Sequence, residues 1–168
     1  VEEICARLTK PGATVVAGGS TRTESVSNAL AVMPDGIDIV RVHDAARAFT
    51  PVEQFLDVIA AVEAGADAVI PGLAVVDTIK EVDASGSVLR TVPRDSLRGV
   101  QTPQGFRRET LDAVHRDENV DGATDDAGMI EASGGLVKVI PGHPDAFKVT
   151  TPFDRLIALA LVTSRSVQ

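Results

Sequence analysis

The sequence predicts an α/β domain built on a mainly parallel β-sheet. Strand-like apolar runs alternate with amphipathic helical segments along most of the chain, which is the order typical of βαβ units. The run ADAVIPGLA, residues 66–74, is apolar almost without interruption, as expected of a strand that helices cover on both faces. Two β-rich, charged runs around the turn ASGS break this alternation. They predict an antiparallel hairpin, a β-arm at about residues 75–96 that projects from the body.

Length and composition limit the classes of function. With 168 residues and 44% hydrophobic residues, the chain is long enough for one domain with a sizeable core. A net charge of −8 and an aromatic content of 3% argue against binding to a nucleic acid polymer, which needs basic surface or stacking platforms. A lone cysteine, Cys5, fits a reducing cytoplasm. No apolar run reaches the roughly 18 residues of a membrane span, so no membrane association is expected.

The first half of the chain predicts five elements in order. They are a helix over residues 1–12, a strand over 13–19, a helix over 21–33, a strand over 36–47 and a helix over 50–65. In the last of these, Thr50 is the expected N-cap and Pro51 lies in the first turn. Its expected buried face consists of Val52, Phe55, Leu56, Ile59 and Val62.

The second half begins with the arm and then returns to the sheet. GVQTPQGF, residues 99–106, is the expected sheet segment, and helices follow over 107–117 and 124–135, the latter with Thr124 as its N-cap. Strands are expected over 136–142 and 146–150. A closing helix over 151–164 begins with Thr151 as N-cap.

Polar residues gather where the predicted strands end, and ligands of open α/β sheets bind at that edge. They are Gly18, Gly19, Ser20, Thr21, Arg22, Ser25, Asp44, Arg47, Thr78, Lys80, Thr102 and Lys148. Glycines before a helix offer backbone N–H groups to phosphate, and Arg and Lys neutralise its charge. Asp44 could hold Mg²⁺ or accept a hydrogen bond from a ribose hydroxyl. The sequence therefore favours phosphate chemistry.

Other chemistries and purely structural roles remain open for single residues. His43, His115 and His143 are dispersed, there is no Cys/His cluster suited to zinc, and no G-x-S-x-G motif supports a Ser–His–Asp triad. GGSTR is more often a turn with a helix cap than a phosphate site. Asp44 could cap the turn after its strand, and Lys148 could be an edge residue that reaches water.

Six segments, taken together, resemble a known family. GGSTRTESV, VHDAARAF, VVDTIK, RTVPRDSLRGVQTPQGF, TDDA and DAFKVTTPFD occur in the order seen in 2-C-methyl-D-erythritol 4-phosphate cytidylyltransferases. The resemblance implies a nucleotidyltransferase-type Rossmann-like fold and transfer of a cytidylyl group from CTP to the sugar-alcohol phosphate, with release of pyrophosphate. It also implies Mg²⁺ as the metal and a homodimer formed through the β-arm.

The resemblance assigns a role to each matching residue. Asp44, Arg94 and Lys148 are implied as catalytic, with Asp44 on the metal and ribose side and Lys148 at the reacting phosphate. The residues implied for the nucleotide are Gly18, Gly19, Ser25, Asp44 and Ala45. Those implied for the sugar phosphate are Arg47, Thr78, Arg94, Thr102, Thr124 and Lys148.

One part of the family pattern has no counterpart here. Residues 1–17 do not match the family's first strand and glycine-rich loop, whose basic residues wrap the triphosphate. The expectation is a single, N-terminally incomplete domain over 1–168 that lacks its first βα unit and is itself inactive. The alternatives are a ribitol 5-phosphate-type cytidylyltransferase and a non-catalytic folded dimeric fragment.

Overall fold

The computed structural model describes residues 12–117 and 125–165. The helices are α1 (Arg22–Ala31), α2 (Val52–Glu63), α3 (Arg108–Arg116), α4 (Asp126–Ala132) and α5 (Pro152–Arg165), with a 3₁₀ helix at Pro144–Ala146. The strands are β1 (Ile39–Val42), β2 (Ala68–Ala74), β3 (Ile79–Val82), β4 (Val88–Val92), β5 (Arg98–Val100), β6 (Gln104–Arg107) and β7 (Val137–Pro141). Among the described helices, none is long and apolar enough to cross a membrane.

The main sheet places β6 between β1 and β2. β6 pairs antiparallel with both neighbours, so β1 and β2 run in the same direction, and β7 pairs parallel with β2. β5 pairs antiparallel with β2, beyond the end of its pairing with β6. β1, β2 and β7 therefore run one way, and β5 and β6 run the other way. The segment GVQTPQGF returns to the sheet against the direction of β1, β2 and β7.

Both faces of the sheet are covered. Val40, Ala68 and Phe106 are cross-strand neighbours on one face, where they join a buried cluster with residues of α1, α3 and α4. Val69 on the opposite face packs in a second cluster with Val58 and Val62 of α2. Each fully buried side chain of this size stabilises the fold by roughly 1.5–3 kcal/mol. The nearly continuous apolar run of β2 is thus explained by burial on both sides.

The predicted arm is present as a separate two-stranded sheet. β3 and β4 pair antiparallel, with Ile79 opposite Val92 and a register shift between Glu81 and Val82. The turn is held by the carboxylate of Asp83, which accepts the backbone N–H groups of Ser85 and Ser87 at 2.8 and 3.0 Å. Most arm side chains are exposed.

Two predicted strands are wrong. Residues 13–19 do not pair with any described strand, and a strand is defined by such pairing. Residues 146–150 do not enter the sheet either. Pro144 begins a 3₁₀ turn there, and the N–H of Val149 is donated at 2.9 Å to the carbonyl of Ala46 instead of to a strand.

Helix α2 buries a face shifted from the predicted one: Val62 is buried as predicted and Phe55 and Ile59 are half-buried, but two further positions of the predicted face are exposed. The structure buries Gln54, Val58 and Val62, whereas Val52 and Leu56 are 67% and 58% exposed. The close approach of α2 to β6 selects this face: a Cβ at Gly105 would lie 2.3 Å from Cγ1 of Val58. The cap prediction also fails, because Pro51 is the N-cap and no side chain caps it.

At the chain's other helix starts, the outcomes differ. Thr151 caps α5 as predicted, since its hydroxyl accepts the N–H of Asp154 at 3.2 Å. Asp125 caps α4 by accepting the N–H of Gly128 at 2.9 Å. The predicted cap Thr124 and the predicted helix over residues 1–12, apart from its last residue, lie outside the described residues.

Candidate active site

Asp44 lies in the turn that follows β1. Its backbone N–H is donated to the hydroxyl of Thr102 at 3.0 Å, and its carbonyl accepts the N–H of Arg47 at 2.9 Å. Its carboxylate lies 3.0 Å from Nζ of Lys148 and 3.6 Å from Nε of Arg47. The structure thus brings together four of the predicted site residues from distant parts of the chain.

The charges around Asp44 keep it ionised. Partial burial by itself raises the pKa of Asp44, but the hydrogen bond and charge of Lys148, with the charges of Arg47 and Arg22, outweigh burial and hold the pKa below its ordinary value. The carboxylate is 28% exposed and the Lys148 side chain 47% exposed. An ionised acid and a reachable ammonium therefore stand side by side at the ligand edge of the sheet.

Arg47 ties three segments together. Its Nη1 donates to the carbonyl of Ala146 at 2.7 Å and its Nη2 to that of Val100 at 3.4 Å, while Nε faces Asp44. The guanidinium is mostly buried. These contacts position the Asp44 turn against the segment that carries Lys148, and a contact from Arg47 to a substrate remains a prediction.

The hydroxyl of Thr102 is shared by two neighbours. It accepts from the N–H of Asp44 and lies 3.0 Å from Nδ1 of His43. Burial lowers the pKa of His43, so the imidazole is neutral at pH 7. Its Nδ1 can then accept a hydrogen bond from the hydroxyl of Thr102. Thr102 is buried, which makes it a support for Asp44 in this structure.

The glycine-containing turn before α1 forms a helix cap. The hydroxyl of Thr21 accepts the N–H of Glu24 at 3.0 Å, and the carboxylate of Glu24 accepts from both the N–H and the hydroxyl of Ser20 at 2.6 Å. The N–H of Gly19 is donated to Ser25 Oγ at 2.9 Å. This arrangement resembles a capping box, the structural alternative that the sequence left open.

The other residues implied for the nucleotide lie in accessible positions. Gly18 and Ala45 are exposed, and Gly19 is half-buried. Gly19 is also required by packing, because a Cβ there would lie 2.2 Å from Cγ of Glu24. Their roles toward a nucleotide remain predictions.

Thr78 and Arg94 lie at the base of the arm, and both are exposed. Arg94 donates through Nη1 to the carbonyl of Val76. Within residues 12–117 and 125–165, no hydrogen bond or ion pair joins either residue to the Asp44 group. Thr124 lies outside the described residues.

The sequence reasoning missed a buried polar chain beside the site. Asp126, at the start of α4, is fully buried, with Arg22 Nη2 at 2.7 Å and His115 Nε2 at 2.9 Å, and His115 Nδ1 is 2.9 Å from Ser27 Oγ. Ser27 lies within helix α1 and not on a strand-to-helix turn, so Ser27, His115 and Asp126 do not form the nucleophile elbow of a hydrolase-type catalytic triad. Arg22 in the first turn of α1 was a usable signal, because the helix dipole disfavours a cation there unless an acid pairs with it.

A metal ion at this site would be held by few protein carboxylates, Asp44 among them. The described part of the chain contains no cluster of three or more potential metal-ligating residues. Asp44 nevertheless fits Mg²⁺, which is commonly held by one or two carboxylates together with substrate phosphates and water.

Comparison with known families identifies the chain. The sequence profile of the 2-C-methyl-D-erythritol 4-phosphate cytidylyltransferase family matches residues 1–164. The chain belongs to this family. The family resemblance and the fold class read from the sequence are thereby confirmed.

Individual cytidylyltransferases of this name show the extent of the match. The chain is 53% identical to the enzyme of Frankia casuarinae over 148 residues, and 54% identical to that of Saccharopolyspora erythraea over 152 residues. Each match includes 88% of this chain, but 55% and 67%, respectively, of the relatives' own lengths. The chain thus spans between half and two-thirds of these curated cytidylyltransferases.

Solved structures of cytidylyltransferases share the fold. The enzyme from Thermus thermophilus superposes with a TM-score of 0.78 at 34% identity, covering 90% of this chain and 78% of the other. The 4-diphosphocytidyl-2C-methyl-D-erythritol synthase of Anaerococcus prevotii gives a TM-score of 0.85 at 29% identity, covering 96% and 77%.

Proposed function

We propose that the protein containing this chain transfers a cytidylyl group from CTP to 2-C-methyl-D-erythritol 4-phosphate, releasing pyrophosphate, in non-mevalonate isoprenoid precursor biosynthesis in the cytoplasm. Family membership supports this activity. The structural observation that carries it is the pair of Asp44 and Lys148, 3.0 Å apart at the carboxyl end of β1. An accessible ammonium beside an ionised carboxylate suits the neutralisation of two reacting polyanions.

The reaction needs positioning and electrostatic stabilisation instead of a covalent nucleophile. A phosphate oxygen of the sugar-alcohol phosphate attacks the α-phosphorus of CTP in line, and the bond to the pyrophosphate oxygen breaks. Lys148 neutralises charge at the reacting phosphate. Asp44 is the residue that would hold Mg²⁺, which supplies charge neutralisation on the phosphate oxygens.

The remaining assignments belong to the same proposal. Gly18, Gly19, Ser25 and Ala45 contact the nucleotide. The sugar phosphate is bound by Arg47, Thr78, Arg94, Thr102 and Thr124. Because Thr78 and Arg94 lie at the base of an exposed arm, we infer that a homodimer presents them to the site of the partner subunit.

Pyrophosphate release by the full-length natural protein tests the proposal. CTP with 2-C-methyl-D-erythritol 4-phosphate is expected to release pyrophosphate, and CTP with ribitol 5-phosphate far less. Faster turnover with ribitol 5-phosphate would identify the alternative enzyme, and no release with either would refute the proposed cytidylyl transfer. The isolated 168-residue chain is expected to release no detectable pyrophosphate.

Asp44→Ala in the full-length protein is expected to lower turnover by roughly 10²–10³, as for other transition-state electrostatic groups. The control is Asp145→Ala, which removes a carboxylate from the ion pair with Arg165 and leaves the pair of Asp44 and Lys148 in place. Wild-type turnover of Asp44→Ala would reduce Asp44 to a turn-capping residue.

A further inference from the structure

The buried carboxylate of Asp126 fixes the position of the Arg22 guanidinium. An ionised carboxylate in the protein interior is strongly unfavourable unless charged or hydrogen-bonding partners compensate it. Burial raises the pKa of Asp126, but His115 and Arg22 outweigh burial and keep the pKa below its ordinary value. His115 is itself buried and is held from its other nitrogen by Ser27. Asp126 is therefore a rigid anchor.

The Arg22 guanidinium is bound through one nitrogen, while part of the side chain is accessible to solvent. One nitrogen, Nη2, lies on Asp126, yet the side chain is 38% exposed. Within the described part of the chain, the hydrogen bonds and ion pairs assign Arg22 no further partner. A guanidinium carries several N–H donors in a planar fork, so donors remain for a ligand.

The open end of Arg22 faces the candidate site. Arg22 lines an open cleft of about 360 Å³ between α1 and β1, together with Ser25, His43 and Asp44. Its charge also contributes to lowering the pKa of Asp44. The proposed function assigns Ser25 to the nucleotide and makes Asp44 the residue that would hold Mg²⁺ at the phosphate oxygens, which places Arg22 on the nucleotide side.

The cations around Asp44 are not equivalent. Arg47 donates to the carbonyls of Ala146 and Val100, so much of its fork is used within the protein. Lys148 is a point charge beside Asp44. Arg41 also lines the cleft, but its guanidinium lies over the Phe55 ring, 5.6 Å from the centroid. Arg22 combines a position fixed by a buried carboxylate with accessible donors, as bidentate recognition of phosphate requires.

We propose that Arg22 binds a phosphate group of the nucleoside triphosphate, and that Asp126 and His115 are positioning residues that aim its guanidinium. The inference rests on the proposed function, because it takes CTP as the ligand. It adds to the site the pair of Arg22 and Asp126, which lie at the starts of α1 and α4. Nucleotide binding would therefore depend on how these two helices pack.

Binding of two ligands to the full-length natural protein separates this role from a structural one. CTP and cytidine share the base and ribose, but cytidine has no phosphate. By calorimetry, Arg22→Gln is expected to bind CTP roughly 10- to 100-fold more weakly, the effect of one charge-assisted hydrogen bond. Its affinity for cytidine is expected to stay within about twofold of wild type.

Further variants test the positioning residues. Asp126→Asn keeps the side-chain shape but loses the charge that holds Arg22, and we expect a raised KM for CTP with a smaller change in kcat. Arg22→Lys is expected to restore part of the CTP affinity that Arg22→Gln loses, since it keeps the charge without the fork. The matched control is Arg165→Gln, which breaks the 2.6 Å pair with Asp145. It is expected to leave CTP binding unchanged.

Two results would overturn the inference while leaving the proposed function intact. One is wild-type affinity of Arg22→Gln for CTP. The other is an equal loss of affinity for CTP and for cytidine, which would show that Arg22 has a structural role only. If Arg22→Gln does not fold, wild-type CTP affinity in both Arg22→Lys and Asp126→Asn overturns it equally. A wild-type protein that binds neither CTP nor cytidine would instead refute the proposed function and this inference with it.

Discussion

Thr102 illustrates how a single hydroxyl can hold a site residue in place. It accepts the N–H of Asp44 while facing Nδ1 of His43, and it is buried. Thr102→Val removes the acceptor and leaves the N–H of Asp44 without a partner, so we expect a loss of about 1–3 kcal/mol in the free energy of unfolding. Urea denaturation measures this loss.

The control for Thr102 is the conservative change to serine. Thr102→Ser keeps the hydroxyl and should retain most of the stability that Thr102→Val loses. Equal stability of the wild type and Thr102→Val would show that water replaces the hydroxyl at the Asp44 N–H.

At the residue scale, the sequence predicted what depends on local position. Asp44 was identifiable because it follows a strand. Lys148 was placed in a strand over 146–150 that the structure does not form, so only its position before a helix start was right. The pairing of Arg22 with Asp126 was not predictable from the sequence. It depends on how α1 and α4 pack against each other, and neither residue carries a local signal that names its partner.

Helix α5 shows how an exposed acid can control an element through its cap. The carboxylate of Asp154 accepts the N–H groups of Thr150 and Thr151 at 2.9 and 2.7 Å, and these bonds lower its pKa to about 2. Because the folded pKa lies below the unfolded value of 3.8, the stabilising contribution is present above about pH 4. It is lost as the pH falls from there toward pH 2.

We therefore expect Asp154→Asn to lower the melting temperature at pH 7 and to have little effect near pH 2. Thermal unfolding across this range measures the difference, and carboxyl NMR reports the pKa directly. Asp95→Asn, an exposed change outside the helices, controls for the loss of one negative charge. A pH-independent effect of Asp154→Asn would contradict the role of charge at the cap.

At the element scale, helices were easier to predict than their faces. The limits of α2 followed from Pro51 and Gly65, but its buried face depends on Gly105 of β6, which admits Val58. Hydrophobicity alone favoured Val52 and Leu56, which the structure leaves exposed. Which stripe a helix buries is decided by the surface beneath it, and that surface comes from another part of the chain.

For the whole molecule, the arm is the feature that predicts assembly. Its exposed apolar side chains include Val82, Val88 and Leu89, and an isolated two-stranded hairpin is marginally stable in water. We expect the full-length protein to be a dimer and deletion of residues 80–92 to give monomers, as measured by light scattering. Ser85→Ala, at the tip of the turn, is the control that should stay dimeric. A deletion variant that remains a dimer would place the interface elsewhere.

Whole-molecule architecture was predicted from the alternation of strands and helices, except for the order of strands. Nothing local in GVQTPQGF indicates that it enters between β1 and β2 in the reverse direction. Strand order is set by how the connections cross the sheet, and a periodic pattern contains no information about that. The arm, by contrast, was evident because its two strands are joined by a short turn.

The central place of β6 has a consequence for the order in which the chain can fold during synthesis. Phe106 is the residue opposite both Val40 and Ala68, so β6 is the strand that bridges β1 and β2. Helix α2 and the arm can form from local contacts as they leave the ribosome. The joint sheet of β1 and β2 must wait until residues 104–107 have emerged, because pairings between distant segments form only when both are available. Until then, the edges of β1 and β2 that β6 will cover are open to other chains, and we expect a chaperone that shields them to act before residues 104–107 emerge.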